Sequence, residues 1–172
     1  MKMKALIKRI LCTLITVLLL VGALTGCGTD LPRPEVREGR FDFSVTYEHN
    51  GVRKTVSDVY VCKYVGIRRT VEGGAYRAWS GRFEGEFRDE VVHVCNTDDG
   101  GEISIVFRIY PEYFMGEPDY KEDFLPDVRL ALEYRDSDGA SLEICEDKEV
   151  ISGYGVRIVG YEYGDQIENT FK

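Results

Sequence analysis

Three stretches of this chain alternate between apolar and polar residues with a period of two. In the first, Phe41, Phe43, Val45 and Tyr47 face one way while Asp42, Ser44, Thr46 and Glu48 face the other. Ile103, Ile105, Phe107 and Ile109 repeat the pattern, as do Val128, Leu130, Leu132 and Tyr134. Successive strand side chains leave opposite faces of a sheet, so each run has one dry and one wet face. That is the mark of antiparallel strands packed on one side, and it disfavours a parallel sheet covered on both faces.

The turn residues agree with this reading. Asn50-Gly51 suits a two-residue hairpin, since both positions tolerate positive φ. Asp98-Asp99-Gly100-Gly101 and Asp136-Ser137-Asp138-Gly139 separate two further strand pairs. Strands are expected near 41–48, 53–65, 75–84, 90–97, 102–110, 127–135, 140–146 and 156–163. The last of them breaks the alternation. Val156 and Ile158 share one face while Val159, Tyr161 and Tyr163 share the other, as a bulge or a doubly buried strand requires. One short helix is expected near 147–153, capped by Asp147 and stopped by Gly153 or Gly155. The fold expected is therefore all-β, a two-layer antiparallel β-sandwich, of which the immunoglobulin-like sandwich is one form. Residues 41–172 form that domain.

The N-terminus is different in kind. Lys2, Lys4, Lys8 and Arg9 are the charged residues of positions 1–26. An apolar run from Ile10 to Leu24 follows, about 15 residues, short of the roughly 20 that a membrane-spanning helix needs. A positive start, a short apolar core and small residues at its end describe a secretory signal peptide over 1–26. The run closes with Leu24-Thr25-Gly26-Cys27, which resembles the lipobox of bacterial lipoproteins. The resemblance implies diacylglyceryl attachment to the Cys27 thiol and cleavage just before it. Membrane lipid is then a partner, and the outer face of the bacterial cell membrane is the location. Residues 27–40 carry two prolines and mixed charge without an apolar period, and are expected to be a flexible tether.

Charge excludes one class of partner. The chain carries 22 Lys+Arg against 30 Asp+Glu, a formal net charge of -8. Removing positions 1–26 leaves 18 basic and 30 acidic residues, a net of -12. No nucleic acid is expected as a ligand, because affinity for phosphate backbones depends on clustered positive charge.

Chemistry-bearing residues are few. After cleavage three cysteines remain besides Cys27, namely Cys62, Cys95 and Cys145, all within expected strands. An oxidising compartment permits one disulfide among them, while three buried thiols are the competing arrangement. No metal site is expected. His93 and Cys95 share a strand face, but no C-x-x-C pair supports zinc. Asp136-Ser137-Asp138-Gly139 begins like a calcium loop and lacks its closing Glu and helical flanks. Asp58-Val59-Tyr60-Val61-Cys62 is similar to the D-x-Y-x-C run of an immunoglobulin strand, though it falls in the second strand and lacks a core cysteine before it. No nucleophile elbow, H-E-x-x-H or phosphate loop exists, so neither an enzyme nor a cofactor is expected. Trp79 reads as a core residue.

The longest inter-strand connection, Tyr110 to Asp127, holds three prolines and five aromatics. Long ordered loops in compact domains are often functional. Tyr113, Phe114 and Tyr120 are its candidate contact residues for an envelope protein or a glycan. The competing expectation is that Tyr113, Phe114 and Phe124 fold back to plug one end of the sandwich.

Three segments carry a family resemblance: Phe41–Cys62, Pro111-Glu-Tyr-Phe-Met-Gly-Glu-Pro118, and the end from Ile158 to Phe171. Together they resemble a group of uncharacterised small lipoproteins from Gram-positive, clostridia-like bacteria. The resemblance implies the compartment and a single β-rich domain, and it transfers no site. A binding or interaction module is the leading expectation. A structural or accessory envelope protein without a small-molecule site is the alternative, ahead of an extracellular hydrolase.

Overall fold

The computed structural model describes residues 31–87, 90–118, 124–135 and 141–172, with the backbone alone for 141–144. Eight strands form two antiparallel four-stranded sheets. The first sheet has the order β3-β2-β1-β8, built from β1 (Glu38–His49), β2 (Val52–Arg69), β3 (Ala75–Phe83) and β8 (Val156–Tyr163). The second has the order β4-β5-β6-β7, from β4 (Val91–Asn96), β5 (Gly101–Arg108), β6 (Asp127–Arg135) and β7 (Ser141–Cys145). The all-β sandwich expected from alternation is the fold observed.

Alternation places the core. Phe41, Phe43, Val45 and Tyr47 of β1 are all buried, as are Ile103, Ile105 and Phe107 of β5 and Val128, Leu130 and Leu132 of β6. Aromatic rings fill the centre between the sheets. Phe43 meets Phe83, Phe87 and Phe107 edge-on, and Phe87 stacks on Phe107 at 4.6 Å. Such offset and edge-to-face pairs add stability beyond their buried area.

Local signals explain most boundaries. Asn50 and Gly51 both have positive φ (52 and 79°), the geometry of the tight hairpin joining β1 to β2. In β8 the register against β1 slips between Thr46 and Tyr47, which face Gly160 and Ile158. Val159 is thus the extra residue of a bulge, which returns Tyr161 and Tyr163 to the same face as Ile158. A short helix, α2 (Lys148–Ser152), starts where Asp147 accepts a hydrogen bond from the Glu149 N–H at 2.8 Å. Buried Ile151 docks it on the sheets. A second short helix, α1 (Pro111–Phe114), lies in the 110–127 connection, with Pro111 at its first position. Four residues carry too little periodicity to be seen in sequence.

Two details depart from the sequence reading. The strand order contains two meanders and a return of β8 beside β1, whereas an immunoglobulin sandwich exchanges strands between sheets as a Greek key. The segment expected to be a tether through Arg40 is also tied down much earlier. The Arg33 N–H donates to the Lys172 carbonyl at 2.7 Å and the Lys172 N–H donates back at 2.9 Å, while the Glu35 N–H donates to the Thr170 carbonyl at 2.8 Å. Asn169 clasps both backbone groups of Val36. Pro34 sits between the two donating residues, the one position in this ribbon where its missing N–H costs nothing. Residues from Pro32 to Lys172 form one compact unit.

Candidate functional site

The topology collects four features at one end of the sandwich. These are the entry of the chain at Pro32, the α1 connection, the C-terminal tail after β8, and the far ends of β2 and β3. The tail is bonded to the connection directly. The Ile167 N–H donates to the Phe114 carbonyl at 2.9 Å, and the Gln166 amide donates to the Tyr113 carbonyl at 2.6 Å. Gly116 permits this approach: its φ is +71°, and a Cβ there would lie 2.3 Å from the Ile167 carbonyl oxygen. Only glycine tolerates both conditions.

Phe114 is wholly buried, packed on Phe41 at 4.6 Å and on Tyr60 and Tyr163. It is a plug of the core and is not available to a partner. Tyr113 is half-buried against Phe114 and Tyr163, and burial raises its hydroxyl pKa. Tyr120 lies outside the described residues, as do Cys27, the signal peptide and the 136–139 turn. Phe124 packs edge-on against Tyr110 at 5.2 Å. The aromatic content of this connection therefore serves packing in every ring whose placement is described. The Glu112 carboxyl, beside Tyr113, is pushed above its ordinary value by burial, with Glu117 repelling its charge.

The polar centre of this end is Glu117, which sequence reasoning passed over. Its carboxylate accepts from Arg77 Nε at 2.7 Å and Nη2 at 2.6 Å, and from Trp79 Nε1 at 2.8 Å. The side chains of Arg77 and Glu117 are only 10% and 8% exposed. The Arg77 guanidinium also lies 4.1 Å over the Phe171 ring and donates to the Pro32 carbonyl at 3.3 Å. The Arg77–Glu117 pair thus joins β3, the α1 connection, Pro32 and the C-terminal tail. Alternating residues Arg77 and Trp79 share a strand face, and that spacing is the one sequence signal of the pair.

Beside this cluster runs a groove of about 520 Å³, whose lining includes Tyr113, Leu125, Gln166 and Asn169. Leu125 is exposed there. A smaller hollow of about 290 Å³ lies between β6, α2 and β8, with Lys148, Arg157 and Asp127 at its rim and Leu130, Val156 and Ile158 in its lining.

Among the described residues the cysteines are three free thiols, Cys62, Cys95 and Cys145. Cys62 is fully buried, and burial pushes its pKa up to about 12. Cys95, Ile103, Leu132 and Cys145 occupy one rung across all four strands of the second sheet. Three strand spacings separate Cys95 from Cys145, about 14 Å and beyond disulfide reach. Asp58 of the D-x-Y-x-C run has a scaffolding part. It accepts from the N–H groups of Val59, Gly85 and Phe87 at 2.6 to 2.8 Å, which pins the crossing from the first sheet to the second. His93 pairs with Glu102 at 2.9 Å on the wet face of the second sheet. Among the described residues no group of three or more His, Cys, Asp or Glu is placed to hold a metal, and no buried polar side-chain atom lacks a partner.

These features define a two-layer antiparallel sandwich closed at one end by its own termini. Compared with known proteins, the chain matches no family model, no curated protein and no solved structure.

Proposed function

We propose that this chain is an extracytoplasmic lipoprotein, cut before Cys27, acylated there and held at the outer face of the cell membrane. Its β-sandwich serves as a binding or interaction module for an envelope protein or a glycan. The observation that carries the reading is Leu24-Thr25-Gly26-Cys27 at the end of a short apolar run with a basic start. Two acyl chains suffice for stable anchoring where one gives only marginal binding. The groove lined by Tyr113, Leu125, Gln166 and Asn169 is the contact surface this reading favours at the α1 end. A passive accessory role is favoured by one specific observation, the consumption of Phe114 and Glu117 in internal packing.

The test is crosslinking in intact cells followed by mass spectrometry, with Cys27→Ala as the unanchored control. One recurrent partner lost with Leu125→Glu or Gln166→Ala supports the interaction module. Failure to enrich any partner, together with no retention on isolated cell-wall glycan, leaves the accessory role. Unchanged membrane retention of Cys27→Ala overturns the anchoring.

A further inference from the structure

We propose that the hairpin formed by the ends of β2 and β3 is a membrane-contact arm, which places Val71 among anionic phospholipid headgroups with Arg68 and Arg69 on their phosphates. The inference rests on lipid attachment at Cys27 and adds an orientation to it.

The arm is set apart by register. β1 accompanies β2 only as far as the Glu38–Lys63 pair. Past Tyr64, whose N–H still donates to the Arg37 carbonyl, β2 continues to Arg69 with β3 alone, through Gly66–Ala78, Ile67–Arg77, Arg68–Tyr76 and Arg69–Ala75. The tip is an ordered turn. Thr70 and Gly74 bond each other through backbone and hydroxyl, and the Gly73 N–H donates back to Thr70. This turn thrusts Val71 fully into solvent, at 107% of its reference exposure. Val65, Ile67 and Tyr76 are exposed on the same two-stranded ribbon. A ribbon with apolar side chains and open edges is a surface that proteins ordinarily cover or blunt.

Charge selects what covers it. Arg68 and Arg69 are exposed and have no acidic partner among the described residues. Glu72 is the one acid between residues 64 and 78. The chain as a whole carries a net charge of -8, so two adjacent arginines beside an exposed valine stand against its general character. Basic residues flanking an apolar tip match an anionic bilayer surface, where the arginines meet phosphate and the valine enters the acyl boundary.

Chain length brings that surface within reach. Arg77, at the root of the arm, donates to the Pro32 carbonyl. From Pro32 back to Cys27 is five residues, at most about 18 Å of extended chain. From Ile67 to Val71 is four residues, about 13 Å of strand. The length of chain between Pro32 and a lipid on Cys27 thus matches the length of the arm in scale. A second copy of the chain pairing through the open edges is the competing occupant, and it would bring like charges at Arg68 and Arg69 together.

The experiment uses the full lipidated protein carrying Val71→Trp, reconstituted in phosphatidylcholine vesicles with or without phosphatidylglycerol, some with brominated acyl chains. Emission of the wild-type protein, whose single tryptophan is the buried Trp79, is subtracted, which leaves the signal of the introduced indole. The expected result is a blue shift and bromine quenching of that signal in the anionic vesicles. Adding Arg68→Gln or Arg69→Gln to the same protein should weaken the dependence on phosphatidylglycerol about fivefold each. The mass of the Cys27 adduct is read on the same samples. If the adduct is present and the introduced indole emits at the water-exposed wavelength in both kinds of vesicle, the arm is overturned and the anchoring stands. An absent adduct overturns the anchoring and with it the reach argument. A blue shift in lipid-free protein that grows with concentration overturns the membrane in favour of a second copy.

Discussion

Removing the Glu117 carboxylate tests how the end of the sandwich is held. It accepts three hydrogen bonds, two from the Arg77 guanidinium and one from the Trp79 indole, and both charged side chains are about nine-tenths buried. Glu117→Ala takes away the carboxylate that accepts two of the guanidinium's hydrogen bonds and leaves that charge in a largely buried place, which costs about 3–5 kcal/mol in buried pairs of this kind. Glu117→Gln keeps one acceptor and the shape, and should cost about 2–3 kcal/mol, the worth of the charge-assisted bonds it loses. The double variant Arg77→Met/Glu117→Leu removes both charges, which is often neutral in itself, and should cost about 1–3 kcal/mol because the Trp79 N–H loses its acceptor, less than Glu117→Ala costs. The assay is urea unfolding followed by Trp79 emission, whose indole N–H is itself a member of the cluster. A loss of about 4 kcal/mol also lowers the melting temperature by about 10–15 °C for a unit of this size. A Glu117→Ala protein within about 1 kcal/mol of the parent, or a double variant as unstable as Glu117→Ala, would refute the argument that loss of the carboxylate from a buried pair dominates here.

Three further outcomes follow from the same physical reasoning. Gly116→Ala should release the C-terminal tail, because its Cβ would collide with the Ile167 carbonyl and its φ is positive; faster amide exchange at Ile167, at a cost of about 2 kcal/mol, is the readout. Cys62, its thiol pushed up to about 12 by burial, should resist alkylation at pH 8 in the native protein and react only on unfolding, after Cys95 and Cys145; equal rates at all three would count against the buried position. The Asp99 carboxyl is held below its ordinary 3.8 by hydrogen bonds from Thr97 first and then Tyr134, with Tyr154 adding to them. Its ionised form therefore stabilises the fold above that pH, and the contribution is lost as pH falls through the lower folded value. Asp99→Asn should flatten the acid limb of the stability curve below about pH 4, and an unchanged limb would refute the linkage.

How much of this was legible in the sequence depends on whether a signal is local. Period-two alternation over Phe41–Glu48 and Ile103–Ile109 gave the strands and the core, because burial of one sheet face is written residue by residue. Asn50-Gly51, the Asp147 cap and the broken alternation at Val159 were legible for the same reason. The strand order was not, since period two is the same whichever neighbour a strand pairs with. The tie between Arg33–Val36 and Asn169–Lys172 spans more than 130 residues, and its prolines imitate a linker. Glu117 was hidden among the many acids of the chain. Nothing in its neighbours tells that its partner lies 40 positions away in β3. In the α1 connection, composition pointed outward while packing turned Phe114 inward, because an aromatic on a loop reads the same whether it anchors a partner or plugs a core.

The order of the strands bears on where a partner can meet this domain. Set end to end, β3-β2-β1-β8 and β7-β6-β5-β4 have the cyclic strand order of an eight-stranded up-and-down barrel, here as two separate sheets. Barrels of that strand number hold a small ligand inside when their inward side chains leave room. Here the inward side chains include Phe43, Phe83, Phe87 and Phe107, with ring centroids 4.6 to 6.4 Å apart. Rings at those separations are in contact and occupy the space a ligand would need. The interior is thus filled by its own core, and the apolar surface left open lies on the outside. There the exposed apolar side chains lie chiefly on the β2–β3 arm, at Leu125 and along the β8 edge at Val159 and Tyr161. The arm and Leu125 both belong to the end of the sandwich that holds Pro32, so exposed apolar surface is concentrated there.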